Sequence, residues 1–195
     1  MIMIMFSDML CHLRNLSATN LVFGPGQYLF HIGDPVRVMH VVQAGVVHLI
    51  RTQSDGSVLV LQQARAGAIL AEASFCTERY HCDAVAAGEA HCLAYPIAEF
   101  RAYLRSTPEF AEAWASHLAH ELQTARLHTE ILSLKTVANR LDAWLAWRVG
   151  TLSRKGEWRT IASEIGVSPE ALYREIAKRR TASKSKNRHG GLLPA

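Results

Sequence analysis

Five residues able to bind metal or undergo redox chemistry, Cys76, His81, Cys82, His91 and Cys92, fall within seventeen positions. Thiolate and imidazole are ligands for copper, zinc or iron, and an accessible thiolate can equally be oxidised or persulfidated. Cys76 and Cys82 are the leading metal-ligand pair, with His81 and Cys92 as further effector-site residues. Their Cys-x5-Cys spacing is not a tight zinc pattern, and a buried cysteine also serves as a small hydrophobe. The segment therefore supports a metal site, a reactive thiol or a packing role. Cys11 is the fourth cysteine, and the chain lacks the close cysteine run of an iron-sulfur site. His117, His120 and His128 offer a second site or a haem ligand, set against the commoner surface or interface histidine.

A second constellation lies in RTIASEIGVSPEALYREIAK, residues 159–178. Ala162, Gly166 and Leu172 stand in the spacing A-x3-G-x5-L, with Ile165, Val167 and Ile176 at the remaining apolar positions of a helix-turn-helix. A small Ala allows two helices to cross closely, and Gly supplies the positive φ of the turn. Ser168 is placed to cap the second helix, with Pro169 in its first turn, where a missing amide proton is harmless. With Leu172 and Ile176 inward, Glu170, Tyr173, Arg174 and Lys178 face outward. Arg bonds two acceptors of guanine, and Glu accepts from cytosine.

The elements that position these groups are legible in the rest of the chain. Its 195 residues are 49% hydrophobic and 19% charged, the balance of a folded globular protein. Between residues 20 and 100, β-branched runs such as 39–42, 46–50 and 58–61 alternate with Gly26, Gly33, Gly45, Gly56 and Gly67, the rhythm of short strands and tight turns. After Pro108 the period changes. Trp114, Leu118, Leu122, Ala125, Thr129 and Leu132 recur in steps of three and four, which predicts a helix over 109–132 about 36 Å long. That stripe resembles a coiled-coil seam, so a second copy of the chain is the expected partner. A further helix is expected over 135–148, carrying Val137, Leu141, Trp144, Leu145 and Trp147.

Charge is concentrated near the end. From Arg174 to Arg188 there are seven Lys or Arg against one acid, a local charge of +6 that suits a polyanion. No apolar run approaches the roughly 20 residues that cross a bilayer, and MIMIMF is a poor signal peptide, so a cytoplasmic protein without membrane contact is expected.

The order of roll, long helix and helix-turn-helix resembles the superfamily of the cyclic-AMP receptor protein and FNR regulators. The resemblance covers roughly residues 20–180 and rests on Gly26-x-x-Leu29-Phe30-x-x-Gly33-Asp34, on Val41-Val42-Gln43-Ala44-Gly45, on Gly67 followed by Glu72, and on Asn139-Arg140-Leu141. It implies an α+β fold with three segments. Residues 1–107 form a β-roll sensor domain (a double-stranded β-helix like a cyclic-nucleotide-binding domain), 108–134 the dimerisation helix, and 135–195 a helix-turn-helix DNA-binding domain with a basic tail. It also implies a homodimer acting on double-stranded DNA, with RNA polymerase a candidate further partner, and no catalysis.

Two departures bear on the signal. Members that bind cyclic AMP carry an Arg-Ser pair where Cys82 and Asp83 align here, and an acid repels a phosphate, so cyclic AMP is not expected. Ala125 and Arg126 replace the hydroxyl residues that meet adenine. In the reading helix, Glu170-x-x-Tyr173-Arg174 resembles the FNR branch's Glu-x-x-Ser-Arg with Tyr for Ser. The expectation is a transcription regulator answering a metal (copper, zinc or iron) or thiol redox. The alternative is a cupin-like metal-binding enzyme or sensor without DNA binding.

Overall fold

The computed structural model describes residues 9–148 and 158–189. MIMIMF and the short connection from Gly150 lie outside the described residues, as do the side chains of Lys184, Lys186 and Arg188. The chain divides into two compact units, Met1–Ala119 and His120–Ala195.

In the first unit eight strands follow one another: β1 (Thr19–Phe23), β2 (Tyr28–Phe30), β3 (Val38–Ala44), β4 (Val46–Thr52), β5 (Val58–Arg65), β6 (Ile69–Leu70), β7 (Asp83–Ala86) and β8 (Ala90–Pro96). They form two four-stranded antiparallel sheets, ordered β1-β8-β3-β6 and β2-β7-β4-β5, the expected roll. The turn glycines make the tight reversals. At Gly45, where φ is +82°, an added Cβ would stand 2.2 Å from the Glu89 carbonyl oxygen, so only glycine fits.

Strand β3 shows no clean alternation because both its faces are covered. Val42 packs inside the roll with Val47, Leu49, Leu70 and Ala84, beneath a Phe30–Tyr80 stack with ring centroids 3.7 Å apart. Met39 and Val41 pack on the other face with Tyr95, Phe100, Phe110 and Trp114. Phe100 comes from helix α1 (Ile97–Ser106), Phe110 and Trp114 from helix α2 (Pro108–Ser133).

Helix α2 is the expected long helix, 26 residues in length, but it is not a segment apart. The boundary between the two units falls within it. Its first turns bury Phe110 and Trp114 in the first unit, and its last turns bring Leu127 and Ile131 into the core of the second. Along the expected seam Trp114 is buried, whereas Leu118, Leu122, Ala125, Thr129 and Leu132 are exposed.

The second unit adds α3 (Val137–Arg148), α4 (Trp158–Glu164) and α5 (Pro169–His189). Ala162, Ile165, Leu172 and Ile176 are buried together with Ile131, Leu141 and Trp144, as the helix-turn-helix spacing requires. Gly166 makes the turn at φ +64°, and an added Cβ would meet Leu132 Cδ2 at 2.6 Å. Around this turn Arg140 donates to four carbonyls: Leu134 at 2.7 Å, Leu132 at 2.8 Å, Gly166 at 2.9 Å and Ile165 at 3.1 Å. The His128 ring donates to the Glu164 carbonyl, and Trp144 Nε1 donates to the Glu164 carboxylate at 2.7 Å.

Two outcomes follow from these environments. His40 on β3 is 3% exposed, its Nδ1 meets no hydrogen-bond partner among the described residues, and burial lowers its pKa from 6.5 to about 4. An unfolded chain protonates this histidine first, so the stability it supports is present above pH 6.5 and is lost as pH falls towards 4, by up to about 3 kcal/mol. His40→Leu is expected to flatten the acid side of the stability profile over that window in denaturant titrations; an unchanged profile contradicts the assignment. Arg140→Lys replaces a four-carbonyl fork by a point donor and is expected to destabilise the second unit by about 2–4 kcal/mol. Thermal unfolding checks this, and an unshifted midpoint refutes it.

Candidate nucleic-acid interface

Helix α5 begins where its cap dictates. Ala171 N–H donates to the Ser168 hydroxyl oxygen at 3.2 Å, and Pro169 is the first helical residue, both as the sequence predicts. Glu170, Tyr173, Arg174 and Lys178 are all exposed. The Glu170 carboxyl is held below the usual carboxylate range by its own backbone N–H and the Ser168 hydroxyl, with smaller contributions from Arg159 and Arg174. Glu170 is therefore an exposed acceptor at the first turn of the helix whose charged form is favoured.

Three residues support this face in roles that the sequence pattern does not assign. Arg159, an exposed cation near the start of α4, adds positive charge beside Glu170. Trp158 is buried and carries the Tyr173 ring at 5.5 Å. Arg140 fixes the turn, a role that no periodicity reveals.

The basic stretch divides into two kinds of charge. Arg179 donates to Asp142 at 2.6 Å, to Glu175 at 2.8 Å and to the Ala138 carbonyl at 3.0 Å, which ties α5 to α3. Arg180 lies over the Trp158 ring, 4.9 Å from its centroid. Two of the seven cations between Arg174 and Arg188 thus serve the fold. The local +6 overstates the charge presented to a partner, while Arg174 and Lys178 remain on the outward face.

The residues of the expected effector segment lie in different environments. Cys82 and Cys92 are 0% exposed inside the roll, and burial pushes each thiol up to about 11. Cys76, just beyond a 3-10 turn (Glu72–Ser74), is exposed, as is Cys11. His81 is exposed and its Nδ1 meets the Ser74 hydroxyl at 2.7 Å; burial and the nearby Arg51 lower its pKa. His91 faces out towards Glu89 at 3.2 Å. Neighbours on a strand point to opposite faces, so on β8 His91 faces out while Cys92 faces in; in the bend before β7, His81 is exposed and Cys82 buried. Among the described residues no three His, Cys, Asp or Glu side chains come together to hold a metal. Of the residues expected to form an effector or metal site, Cys76 and His81 are at the surface and Cys82 and Cys92 lie in the apolar core. The long-helix histidines are likewise separate: His117 lies beside the Trp114 ring, and His128 is engaged by Glu164.

The positions that align with the Arg-Ser pair contain no cation. Cys82 belongs to the apolar core, and Asp83 accepts the Ile32 N–H at 2.9 Å and lies 3.4 Å from the His31 ring. Ala71, immediately before Glu72, holds φ +57°, the one non-glycine positive φ among the described residues.

The described architecture has recorded relatives. Residues 20–107 match the family described as the cyclic nucleotide-binding domain. The cyclic AMP receptor protein of Thermus thermophilus is 29% identical over 163 residues, covering 80% of this chain and 74% of the relative. The structure of FixK2 from Bradyrhizobium japonicum shares the fold with a TM-score of 0.70 at 18% identity, over 86% of this chain and 87% of that one. The catabolite activator protein of Thermus thermophilus does so with a TM-score of 0.54 at 24% identity, over 91% and 84%. The chain is thus similar over residues 20–107 to the cyclic nucleotide-binding domain family, and its eight-stranded antiparallel roll followed by helices shares the fold of these relatives.

Proposed function

We propose that this protein is a sequence-specific, homodimeric DNA-binding transcription regulator in which α5 enters the major groove. One observation carries the reading: a capped helix, set by a glycine turn, presents Glu170, Tyr173, Arg174 and Lys178 on one exposed face while Leu172 and Ile176 are buried beneath it. Residue types at the start of such a helix reach base edges, and later cations meet phosphates. The uncovered stripe of Leu118, Leu122 and Leu132 on α2 supports pairing with a second copy, and two-fold symmetry then calls for half-sites about one helical turn apart. RNA polymerase is the further partner that a regulator of this kind would meet.

The signal is one other than cyclic AMP. The aligned cassette offers a buried thiol and an engaged carboxylate in place of the cation that a phosphate needs. In the segment 76–92 the exposed thiol is Cys76, so a thiol-directed signal would act there and not at Cys82.

Arg174→Ala is expected to cost about 1–3 kcal/mol of DNA binding and to relax preference at one position per half-site. Lys178→Ala is expected to weaken all duplexes alike and to reduce the salt slope by about one. Quantitative binding to a randomised duplex library tests both, and identical profiles for the two variants would refute the assigned roles. In calorimetry, cyclic AMP is expected to show no binding at roughly micromolar concentration, the range in which RT ln Kd is about −8 kcal/mol; a saturating micromolar isotherm contradicts the pocket assignment.

A further inference from the structure

Trp158 opens α4 and is 5% exposed, yet its ring contacts reach the outward side of α5. The Tyr173 ring lies 5.5 Å away at 52°, and the Arg180 guanidinium lies 4.9 Å over the indole. Tyr173 and Arg180 are seven residues apart, two turns along one side of the helix, so a single indole braces both. An exposed tyrosine on a helix samples more than one rotamer, whereas a ring packed on another ring within 4.5–7 Å is held. Tyr173 nevertheless keeps 37% of its surface open.

Its neighbours share the exposed face: Glu170 lies nearly one turn earlier and Arg174 follows directly. A rigid aromatic edge thus stands between a hydrogen-bond acceptor and a hydrogen-bond donor. The apolar feature that base edges offer in the major groove is the thymine C5-methyl group.

We propose that Trp158 is a positioning residue of the reading face, holding Tyr173 so that its ring meets a thymine methyl in each half-site. The inference rests on α5 being the DNA-reading helix. A selected duplex is compared, using the full-length chain, with the same duplex carrying deoxyuridine for that thymine, which removes the methyl alone. The wild type is expected to lose about fourfold in affinity, one methyl's worth of burial. Tyr173→Ser is expected to bring that ratio to one. Trp158→Leu is expected to lower it towards one while the preference read by Arg174 persists.

A structural role alone would weaken Trp158→Leu on every duplex and leave the methyl ratio intact, which overturns the proposal. If circular dichroism shows that Trp158→Leu has lost its fold, Trp158→Phe decides: a ratio below about twofold supports positioning, and the wild-type ratio refutes it. A wild type that selects duplexes but ignores deoxyuridine defeats this inference alone. A wild type that selects none defeats the DNA-reading function with it.

Discussion

The Arg140 guanidinium satisfies carbonyls at the C-terminal ends of two helices at once, Leu132 and Leu134 at the end of α2 and Ile165 and Gly166 at the end of α4. Both ends carry orphaned acceptors and the negative pole of a helix dipole, so a delocalised cation with five donors in a fixed fork suits the place. Leu132 presses on Gly166 from the same side, and His128 reaches the Glu164 carbonyl one turn earlier on α2. The turn that aims α5 is thus tied to the last turns of the long helix. Glu164 joins the network through its carboxylate on Trp144, which brings α3 into the same knot.

With the turn fixed, the cations of α5 divide between packing and the exposed face. Arg179 and Arg180 hold α5 to α3 and α4, and the outward positions are left to Glu170, Tyr173, Arg174 and Lys178. Charge that looks uniform along the sequence is partly internal wiring. In the roll, the side chains that could do chemistry are spent on packing: Cys82, Cys92 and His40 are buried, and only Cys76 and Cys11 present thiols to solvent.

The fold was legible wherever a period or a turn residue is a local property. Short strands between glycines, the 26-residue helix and the Ala162-Gly166-Leu172 turn follow from spacing, and each stands where spacing places it. The cysteine cluster is divided between surface and core because nearness along the chain is not nearness in space, and β7 and β8 belong to different sheets. The pleat sends His91 outward and Cys92 inward, and the apolar residues around Cys82 are supplied by strands far along the chain. Arg140 and Trp158 were illegible for the opposite reason. Their partners lie 25 or 26 residues away for the Arg140 contacts with Ile165 and Gly166, and 15 or 22 for Trp158 with Tyr173 and Arg180, separations that no helical or strand period connects.

The most direct test is competition between a two-fold symmetric duplex, obtained by selection with the full-length protein, and a scrambled duplex of the same composition at physiological salt. The structure leads us to expect the selected duplex to win by about a thousandfold or more, with half-sites about one helical turn apart. Equal affinity for the two, falling together as salt rises, would show that α5 supplies charge but reads no bases, and would contradict the assignment of this chain as a sequence-specific regulator.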